Sequence, residues 1–215
     1  MTSADIPAVH RILMGDFKRN PAPIIDFMAT QERDPFKILL ATILSARTQD
    51  KTTAKVVTEQ LFPAVKTFAD LRARTVKEIE ELIYPVGFYH QKALALKALP
   101  DALDAKFGGK IPDDVESLCE LPGVGRKTAN LVVAVAFDKP AICVDVHVNR
   151  INNRLGLVKT KTPLETEMEL RRILPVKYWK TWNACFVSYG QRRCLPLRPK
   201  CAECLIAKYC ASAPN

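Results

Sequence analysis

The chain has 215 residues, of which 48% are hydrophobic and 26% are charged, proportions that are typical of a soluble globular protein and exclude a disordered one. Lys and Arg outnumber Asp and Glu by 32 to 23, and the net charge of +9 favours a polyanionic partner such as nucleic acid over a membrane. The N-terminal residues lack the apolar core of a signal peptide, so we expect a cytoplasmic protein that is not secreted and is associated with the nucleoid if bacterial.

Helical periodicity dominates the chain, and the predicted fold class is all-α. The β-branched residues 132–148 are compatible with strands, but their interruption by Lys139 and Pro140 and the surrounding helix formers favour helix. The break at residues 138–144 is the best candidate for a domain boundary. In chain order, helices are predicted over residues 35–45, 50–61, 76–84, 91–107, 112–119 and 126–137, from about residue 145, and over residues 163–174 and 178–189.

The segment LPGVGRKTAN, residues 121–130, joins two of these helices. Gly123 and Gly125 permit a sharp turn that brings backbone N–H groups close to a ligand, and the N-terminus of the helix beginning near Arg126 suits a phosphate. Such a helix-hairpin-helix holds duplex DNA by its backbone and does not read base sequence. The alternative is a turn that only packs two helices together. In so basic a chain we favour the DNA-binding interpretation.

Lys127 lies in the first turn of the helix that follows this hairpin. The helix N-terminus and Arg126 both disfavour a further positive charge there. A neutral lysine amine is a nucleophile that can form a Schiff base with an aldehyde-level carbon. The alternative is a lysine that only contacts phosphate, and that interpretation would be preferred if Lys127 were the only signal.

A carboxylate and a histidine open the next predicted helix, in the segment VDVH. Asp145 is predicted to be the N-cap of that helix, and capping alone would explain its presence. An anion held there can also face a cleft, where it could stabilise positive charge developing on a sugar ring or assist proton transfer. We interpret His147 as a structural residue or a neighbour of phosphate and not as a catalytic one.

The seven cysteines form two groups, and in a chain without an export signal they argue against a disulfide framework. Three are scattered in apolar surroundings and are predicted to be buried thiols, namely Cys119, Cys143 and Cys185. The other four crowd into the C-terminal tail and are candidate metal ligands, namely Cys194, Cys201, Cys204 and Cys210.

The cysteine tail has the spacing Cys-x6-Cys-x2-Cys-x5-Cys. Four thiolates suit zinc or an iron–sulfur cluster and suit hard cations poorly. A four-cysteine zinc site usually draws on two Cys-x2-Cys pairs, so the single pair here favours the cluster and leaves zinc as the alternative. Nearby basic residues either compensate the charge of the thiolates or contact phosphates, and they are Arg192, Arg193, Arg198, Lys200 and Lys208.

The succession of LPGVGRKTAN, VDVHVNR and the cysteine tail resembles the endonuclease III family of DNA glycosylases. The hairpin occurs in many DNA-binding proteins, whereas the lysine, the aspartate and the cysteine loop together are specific to this family. The resemblance extends over about residues 35–210. It implies two helical domains that flank a DNA-binding cleft, residues 26–139 with the hairpin and residues 1–25 plus 140–215 with a 4Fe–4S cluster.

The resemblance also implies a monomeric enzyme acting on double-stranded DNA that contains damaged bases or abasic sites. The family removes oxidised pyrimidines such as thymine glycol, after the target nucleotide has been extruded from the base stack. In that scheme Lys127 attacks C1′ and the strand is cut by β-elimination, while Asp145 supports the attack. The cluster orders the basic loop that contains Lys200.

Two positions depart from the family pattern. Arg47, in LSARTQD, stands where the family commonly has a glutamine that fills the gap left by the extruded base, and Phe88, in VGFYHQK, matches its wedge leucine. A guanidinium can fill that gap, and a phenylalanine can wedge and stack on a base. Their simpler interpretations are a surface cation and a core aromatic. The predicted DNA contacts are Arg47, Phe88, Gly123, Val124, Gly125, Arg126, His147 and Lys200.

Two other functions compete with this prediction. The first is a mismatch-specific monofunctional glycosylase of the same superfamily, but those relatives generally lack a lysine at the position of Lys127. The second is a non-catalytic DNA-binding module built on the hairpin and the metal loop, which would have no need for both Lys127 and Asp145.

Overall fold

The computed structural model describes residues 1–20 and 33–214, and all regular secondary structure in these two ranges is helical, which confirms the predicted all-α class. No helix in these ranges is both long and apolar enough to cross a membrane. Four short 3-10 turns are present, at Ser3–Asp5, Val176–Tyr178, Cys201–Glu203 and Ala207–Tyr209. Apart from a three-residue helix at Phe62–Ala64, the α-helices of these ranges are α1 (Ile6–Arg19), α2 (Pro35–Ser45), α3 (Asp50–Val56), α4 (Phe68–Ala73), α5 (Val76–Ile83), α6 (Tyr89–Phe107), α7 (Val115–Cys119), α8 (Arg126–Ala136), α9 (Val146–Leu155), α10 (Pro163–Ile173) and α11 (Trp179–Arg192).

Side-chain caps determine where several helices begin, because the first turn of a helix has backbone N–H groups without partners in the helix. The Asp34 side chain accepts hydrogen bonds from the backbone N–H groups of Phe36 (2.9 Å) and Lys37 (3.4 Å), which places the start of α2 at the predicted residue. Thr75 and Glu78 form a capping box at the start of α5, in which each side chain accepts from the other residue's backbone. Both caps join residues that are only two or three positions apart in the sequence.

The chain separates into two compact units, and one of them, here called the terminal unit, comprises Met1–Ala22 and Pro140–Asn215. Its central element is α11, which packs against α1 and α9. Trp182, Phe186 and Tyr189 of α11 are almost completely buried in this core. Burial of each such side chain contributes about 1.5–3 kcal/mol, so α11 supplies much of the stability of the terminal unit.

The N-terminal segment is bonded to residues of the C-terminal part of the chain within the terminal unit. The N-terminal ammonium of Met1 donates to the carbonyl oxygen of Leu155 over 2.9 Å. Asp16, which is buried in α1, forms a salt bridge with Arg192 of α11. These contacts hold the N-terminal helix against the C-terminal part of the chain.

The other unit, here called the middle unit, comprises Pro23–Lys139. Its core element is α2, in which every residue from 38 to 44 is buried. α2 packs against α6 and α8, and α6 also packs against α4 and α5. Because α7 packs against α8, the glycine turn at residues 121–125 is held at the junction of these two helices.

Two helices, α1 and α4, were not predicted from the sequence. Ile6, Val9 and Leu13 form the buried face of α1, but the polar residues among them weaken the apolar pattern. α4 buries only Leu71 among its six residues, so its periodic signal is too short to detect. The predicted helix over residues 50–61 is α-helical only as far as Val56, because Val57–Leu61 is π-helical.

The cysteines outside the tail are not all buried. Cys143 and Cys185 are buried, as predicted, and burial raises the pKa of Cys185 to about 12. The prediction for Cys119 is wrong, because this thiol is exposed. α7 is a single short helix that buries Val115 and Leu118, and Cys119 is its last residue.

Candidate functional site

The glycine turn between α7 and α8 is tightly packed at one residue and open at another. Gly123 has a φ of 74°, and a Cβ at this position would lie 2.9 Å from the Cβ of Ala95, so glycine is required both by conformation and by space. Val124 beside it is buried. At Gly125 a Cβ would meet no atom of the described residues within 4 Å. A ligand can therefore approach the backbone closely at Gly125.

Gly125 is also the N-cap residue of α8, so the positive end of that helix is located at the open part of the turn. Arg126 is half-buried, and its guanidinium Nη1 lies 3.7 Å from Oε1 of Glu116. The side chain of Lys127, in the first turn of α8, is exposed. The turn thus combines a helix end that attracts anions with an adjacent exposed lysine.

Arg47 and Phe88 come together in the middle unit although they are far apart in the sequence. The guanidinium carbon of Arg47 lies 5.4 Å from the centroid of the Phe88 ring. Arg47 is exposed and Phe88 is 54% exposed, so the interpretation of Phe88 as a core aromatic is wrong. Both residues have positive φ, 53° and 59°, a conformation that costs a non-glycine residue about 1–2 kcal/mol.

A buried lysine that the sequence gives no reason to single out contacts the segment around Arg47. Lys92 of α6 is 8% exposed, and its Nζ donates to the carbonyl oxygens of Leu44 (2.7 Å) and Ala46 (2.6 Å). Its third hydrogen bond, of 3.1 Å, goes to Oγ1 of Thr48. The three acceptors match the three donors of an ammonium group, while burial lowers the pKa of Lys92 to about 8.

The segment VDVH forms the start of α9 in the terminal unit. Asp145 is 8% exposed, and its Oδ1 accepts from the backbone N–H groups of His147 and Val148, both at 2.9 Å, which confirms the predicted cap. Gly190 packs against the His147 ring, because a Cβ there would lie 2.5 Å from Nδ1. Nδ1 of His147 lies 3.1 Å from Nη2 of Arg150. Since a guanidinium only donates hydrogen bonds, Nδ1 is the acceptor in this contact.

The four tail cysteines line one cavity of about 100 Å³ in the terminal unit. Two of the thiols accept hydrogen bonds, Cys204 from the Tyr189 hydroxyl (3.2 Å) and Cys194 from Nη1 of Arg154 (3.4 Å). Within residues 1–20 and 33–214, no three His, Cys, Asp or Glu side chains are grouped so as to bind a single metal ion. The thiols instead border a shared space, and the cavity-lining cysteines are Cys194, Cys201, Cys204 and Cys210.

Two arginines that sequence reasoning missed support the cysteine loop. Nη2 of Arg150 donates to the carbonyl oxygen of Cys194 (2.7 Å), and Nη1 of Arg154 donates to that of Leu195 (2.7 Å). Their spacing of four residues on α9 places both on one helix face, a signal that could have indicated a shared partner. Lys200, which also borders the cavity, is exposed.

Two of the predicted tail cations, both half-buried, are bonded to other residues of the protein. Arg192 pairs with Asp16, and Nη1 of Arg193 donates to the carbonyl oxygen of Glu203 over 3.0 Å. Arg198 is exposed and has a φ of 51°. The basic residues of the tail therefore divide into those that stabilise the terminal unit and those that present charge to solvent.

Comparison with known proteins relates these features to a family. Residues 40–176, which include the glycine turn, Lys127 and Asp145, match the family described as HhH-GPD superfamily base excision DNA repair protein. An endonuclease III of Thermotoga maritima is 45% identical over 180 residues, which are 84% of this chain and 84% of that protein. The chain belongs to the endonuclease III family. Its similarity to this relative includes most of both units and is not confined to the hairpin.

Two solved endonuclease III structures are similar in fold to this chain over almost its whole length. One is a non-covalent endonuclease III–DNA complex, with a TM-score of 0.87, 33% identity and coverage of 99% of this chain and 97% of that chain. The other is a trapped endonuclease III–DNA covalent intermediate, described as an estranged-adenine complex, with a TM-score of 0.88, 34% identity and the same coverage.

The residues predicted for the site form three local groups in this endonuclease III family member. Arg47 and Phe88 are neighbours, and the turn residues adjoin Lys127 in the same middle unit. Asp145 belongs to the terminal unit, as do His147, Lys200 and the tail cysteines. The structure adds Lys92, Arg150 and Arg154, each of which holds backbone near one of these groups.

Proposed function

We propose that this endonuclease III family member is a bifunctional DNA glycosylase and AP lyase that removes oxidised pyrimidines, such as thymine glycol, from double-stranded DNA. The observation that supports this most directly is the position of the exposed residue Lys127 in the first turn of α8, two residues after the open backbone of Gly125. That position brings a nucleophile close to a helix end that binds phosphate. The covalent intermediate trapped with a related endonuclease III agrees with a nucleophilic mechanism.

In the proposed reaction the neutral Nζ of Lys127 attacks C1′ of the damaged nucleotide. The bond from C1′ to the base breaks, and the base leaves with the electron pair and takes up a proton. Opening of the C1′–O4′ bond, with transfer of a proton to O4′, then gives an imine between Nζ and C1′. Removal of a proton from C2′ breaks the C3′–O3′ bond, so the strand is cut by β-elimination on the 3′ side. Asp145 stabilises the developing positive charge and relays protons.

DNA binding in this proposal depends on backbone contacts and on extrusion of the target nucleotide. The backbone of residues 123–125, with Arg126, holds a phosphate group at the N-terminus of α8. Phe88 enters the base stack and Arg47 fills the space that the extruded nucleotide vacates. His147 and Lys200 contact the DNA backbone. The protein acts as a monomer on cytoplasmic DNA, with residues 26–139 and residues 1–25 plus 140–215 as its two domains.

We further propose that the tail cysteines hold a 4Fe–4S cluster. The donor set consists of four thiols, which suit zinc or iron–sulfur centres. These thiols border a shared cavity, and ligands distributed around a space suit a bulky cluster better than a single ion. When bound, such a cluster supplies no redox step to the base-removal reaction and holds residues 194–210 in one shape. Arg150 and Arg154 stabilise that shape by donating to the loop carbonyls.

The cofactor proposal predicts a brown protein that contains iron and acid-labile sulfide in equal amounts. Cys204→Ser is expected to lose most of the iron, because it removes one of four ligands. Cys119→Ser is the matched control, since this thiol is exposed and lies outside the tail, and its iron content is expected to equal that of the wild type. Metal analysis and visible absorption measure both. A colourless protein with about one zinc ion per chain would contradict the cluster.

The activity is tested by incubating the protein with duplex DNA that contains thymine glycol and then adding borohydride. Reduction of the imine is expected to give a permanent protein–DNA adduct, visible as a shifted band on a denaturing gel. Base release without an adduct would indicate a monofunctional glycosylase instead. Neither adduct nor base release on a panel of oxidised pyrimidines, with DNA binding retained, would indicate a non-catalytic binding module.

A further inference from the structure

Lys92 is a buried cation whose contacts all lie within the middle unit and close to the exposed pair Arg47 and Phe88. Its Nζ bonds the carbonyl oxygens of Leu44 and Ala46, on the N-terminal side of Arg47, and the hydroxyl of Thr48, on the C-terminal side. The ammonium group therefore holds the chain on both sides of Arg47. A residue in the left-handed region relaxes unless its surroundings hold it there.

The same network extends to Phe88 through Thr48. The Thr48 hydroxyl accepts from the backbone N–H of Gly87 over 3.1 Å, as well as from Lys92. Gly87 also lies against Arg47, because a Cβ on Gly87 would be 2.6 Å from the carbonyl oxygen of Arg47. In addition, the backbone N–H of Lys92 donates to the carbonyl oxygen of Phe88 over 3.1 Å. Lys92 is thus bonded, directly or through one residue, to both segments that present the exposed pair.

We propose that Lys92 is a positioning residue that fixes the relative placement of Arg47 and Phe88 for nucleotide extrusion. This inference rests on the proposed function, in which these two side chains enter the base stack and fill the vacated space. A guanidinium and a ring stabilise an extruded state only if both reach the duplex together, so a loose segment around Arg47 weakens that state even though neither side chain is changed. Lys92 itself does not touch the DNA in this scheme.

Lys97, on the same helix, provides a matched control. Its Nζ donates to the carbonyl oxygens of Arg72 (2.6 Å) and Arg74 (2.7 Å), at the C-terminal end of α4. Both lysines therefore bind two backbone carbonyl oxygens at a turn of the middle unit. Only Lys92 holds the turn that bears Arg47. Comparing variants of the two lysines therefore distinguishes a general effect on stability from a specific effect on nucleotide extrusion.

The experiment compares Lys92→Met with Lys97→Met on two substrates that contain the same abasic site, one double-stranded and one single-stranded. Only the duplex requires extrusion and filling of a gap. Lys92→Met is expected to slow single-turnover strand cleavage of the duplex about tenfold, the effect of losing one to two hydrogen bonds in the extruded state. Cleavage of the single strand is expected to change less than about twofold. Lys97→Met is expected to preserve the wild-type ratio of the two rates.

A fluorescent 2-aminopurine placed next to the abasic site reports extrusion directly. The rate at which its fluorescence increases is expected to fall in Lys92→Met by the same factor as the rate of cleavage. If Lys92→Met does not fold, Thr48→Val, which keeps the side-chain shape and removes the hydroxyl, is expected to lower the duplex-to-single-strand ratio about threefold. Equal ratios for wild type, Lys92→Met and Thr48→Val would overturn the inference. Absence of cleavage of both substrates by the wild type would instead refute the proposed function.

Discussion

Replacing Lys127 with Gln is expected to abolish borohydride trapping and to lower base removal by at least about 10³-fold, because an amide nitrogen cannot serve as the nucleophile. Glutamine keeps much of the length of the side chain and can still donate a hydrogen bond. The affinity for duplex DNA is therefore expected to fall less than about threefold, since at most one phosphate contact is lost. Gel analysis after borohydride and a binding titration measure the two effects.

Lys77→Gln is the matched control for this variant. Lys77 is exposed and occupies the second position of α5, as Lys127 does in α8. The two substitutions therefore make the same change of charge at the same place in a helix. Lys77→Gln is expected to trap DNA like the wild type. Trapping that survives in Lys127→Gln, or that is lost equally in both variants, would exclude Lys127 as the nucleophile.

Replacing Asp145 with Asn is expected to separate the two roles of this residue. The asparagine oxygen can accept the same hydrogen bonds from His147 and Val148 that Asp145 accepts at 2.9 Å, and Asn caps helices about as well as Asp. The melting temperature is expected to stay close to that of the wild type. Base removal is expected to slow about 10²–10⁴-fold, because the amide has neither the charge nor the basicity of the carboxylate.

The control for Asp145 uses a cap of the same geometry. Asp34 caps α2 by accepting from the N–H groups two and three residues later, as Asp145 does in α9. Asp34→Asn is expected to leave both the melting temperature and the rate of base removal close to wild type. If Asp145→Asn keeps full activity, or if its loss of activity is matched by a loss of thermal stability, the carboxylate has only a structural role.

Local signals predicted much of the helical fold. The start of α2 follows from Pro35 as a proline of the first turn, and the start of α9 follows from Asp145 as a cap. Caps and apolar periodicity act within a few residues, so a single sequence contains the information needed to place them. α4 was not predicted because a six-residue helix with one buried side chain has little periodicity.

The supporting contacts of the site could not be predicted because they depend on tertiary packing. Lys92 and Lys97 both belong to α6, and nothing in GFYHQKALALK indicates that Lys92 binds the turn around Arg47. The exposure of Phe88 is likewise set by its left-handed conformation before α6. The engagement of Arg192 also depends on the buried carboxylate of Asp16, a partner far away in the sequence.

The packing of α1 against α11 means that the terminal unit cannot finish folding until the C-terminal part of the chain has been synthesised. Arg192 follows Asp16 by 176 positions, a stretch that takes about 9–35 s to translate at about 5–20 residues per second. During that interval the helix against which α1 packs, α11, is not yet complete. The whole middle unit is translated within the same interval, so it can fold before α1 is able to pack against α11. α1 therefore acquires its native neighbour α11 only after the whole middle unit has been translated.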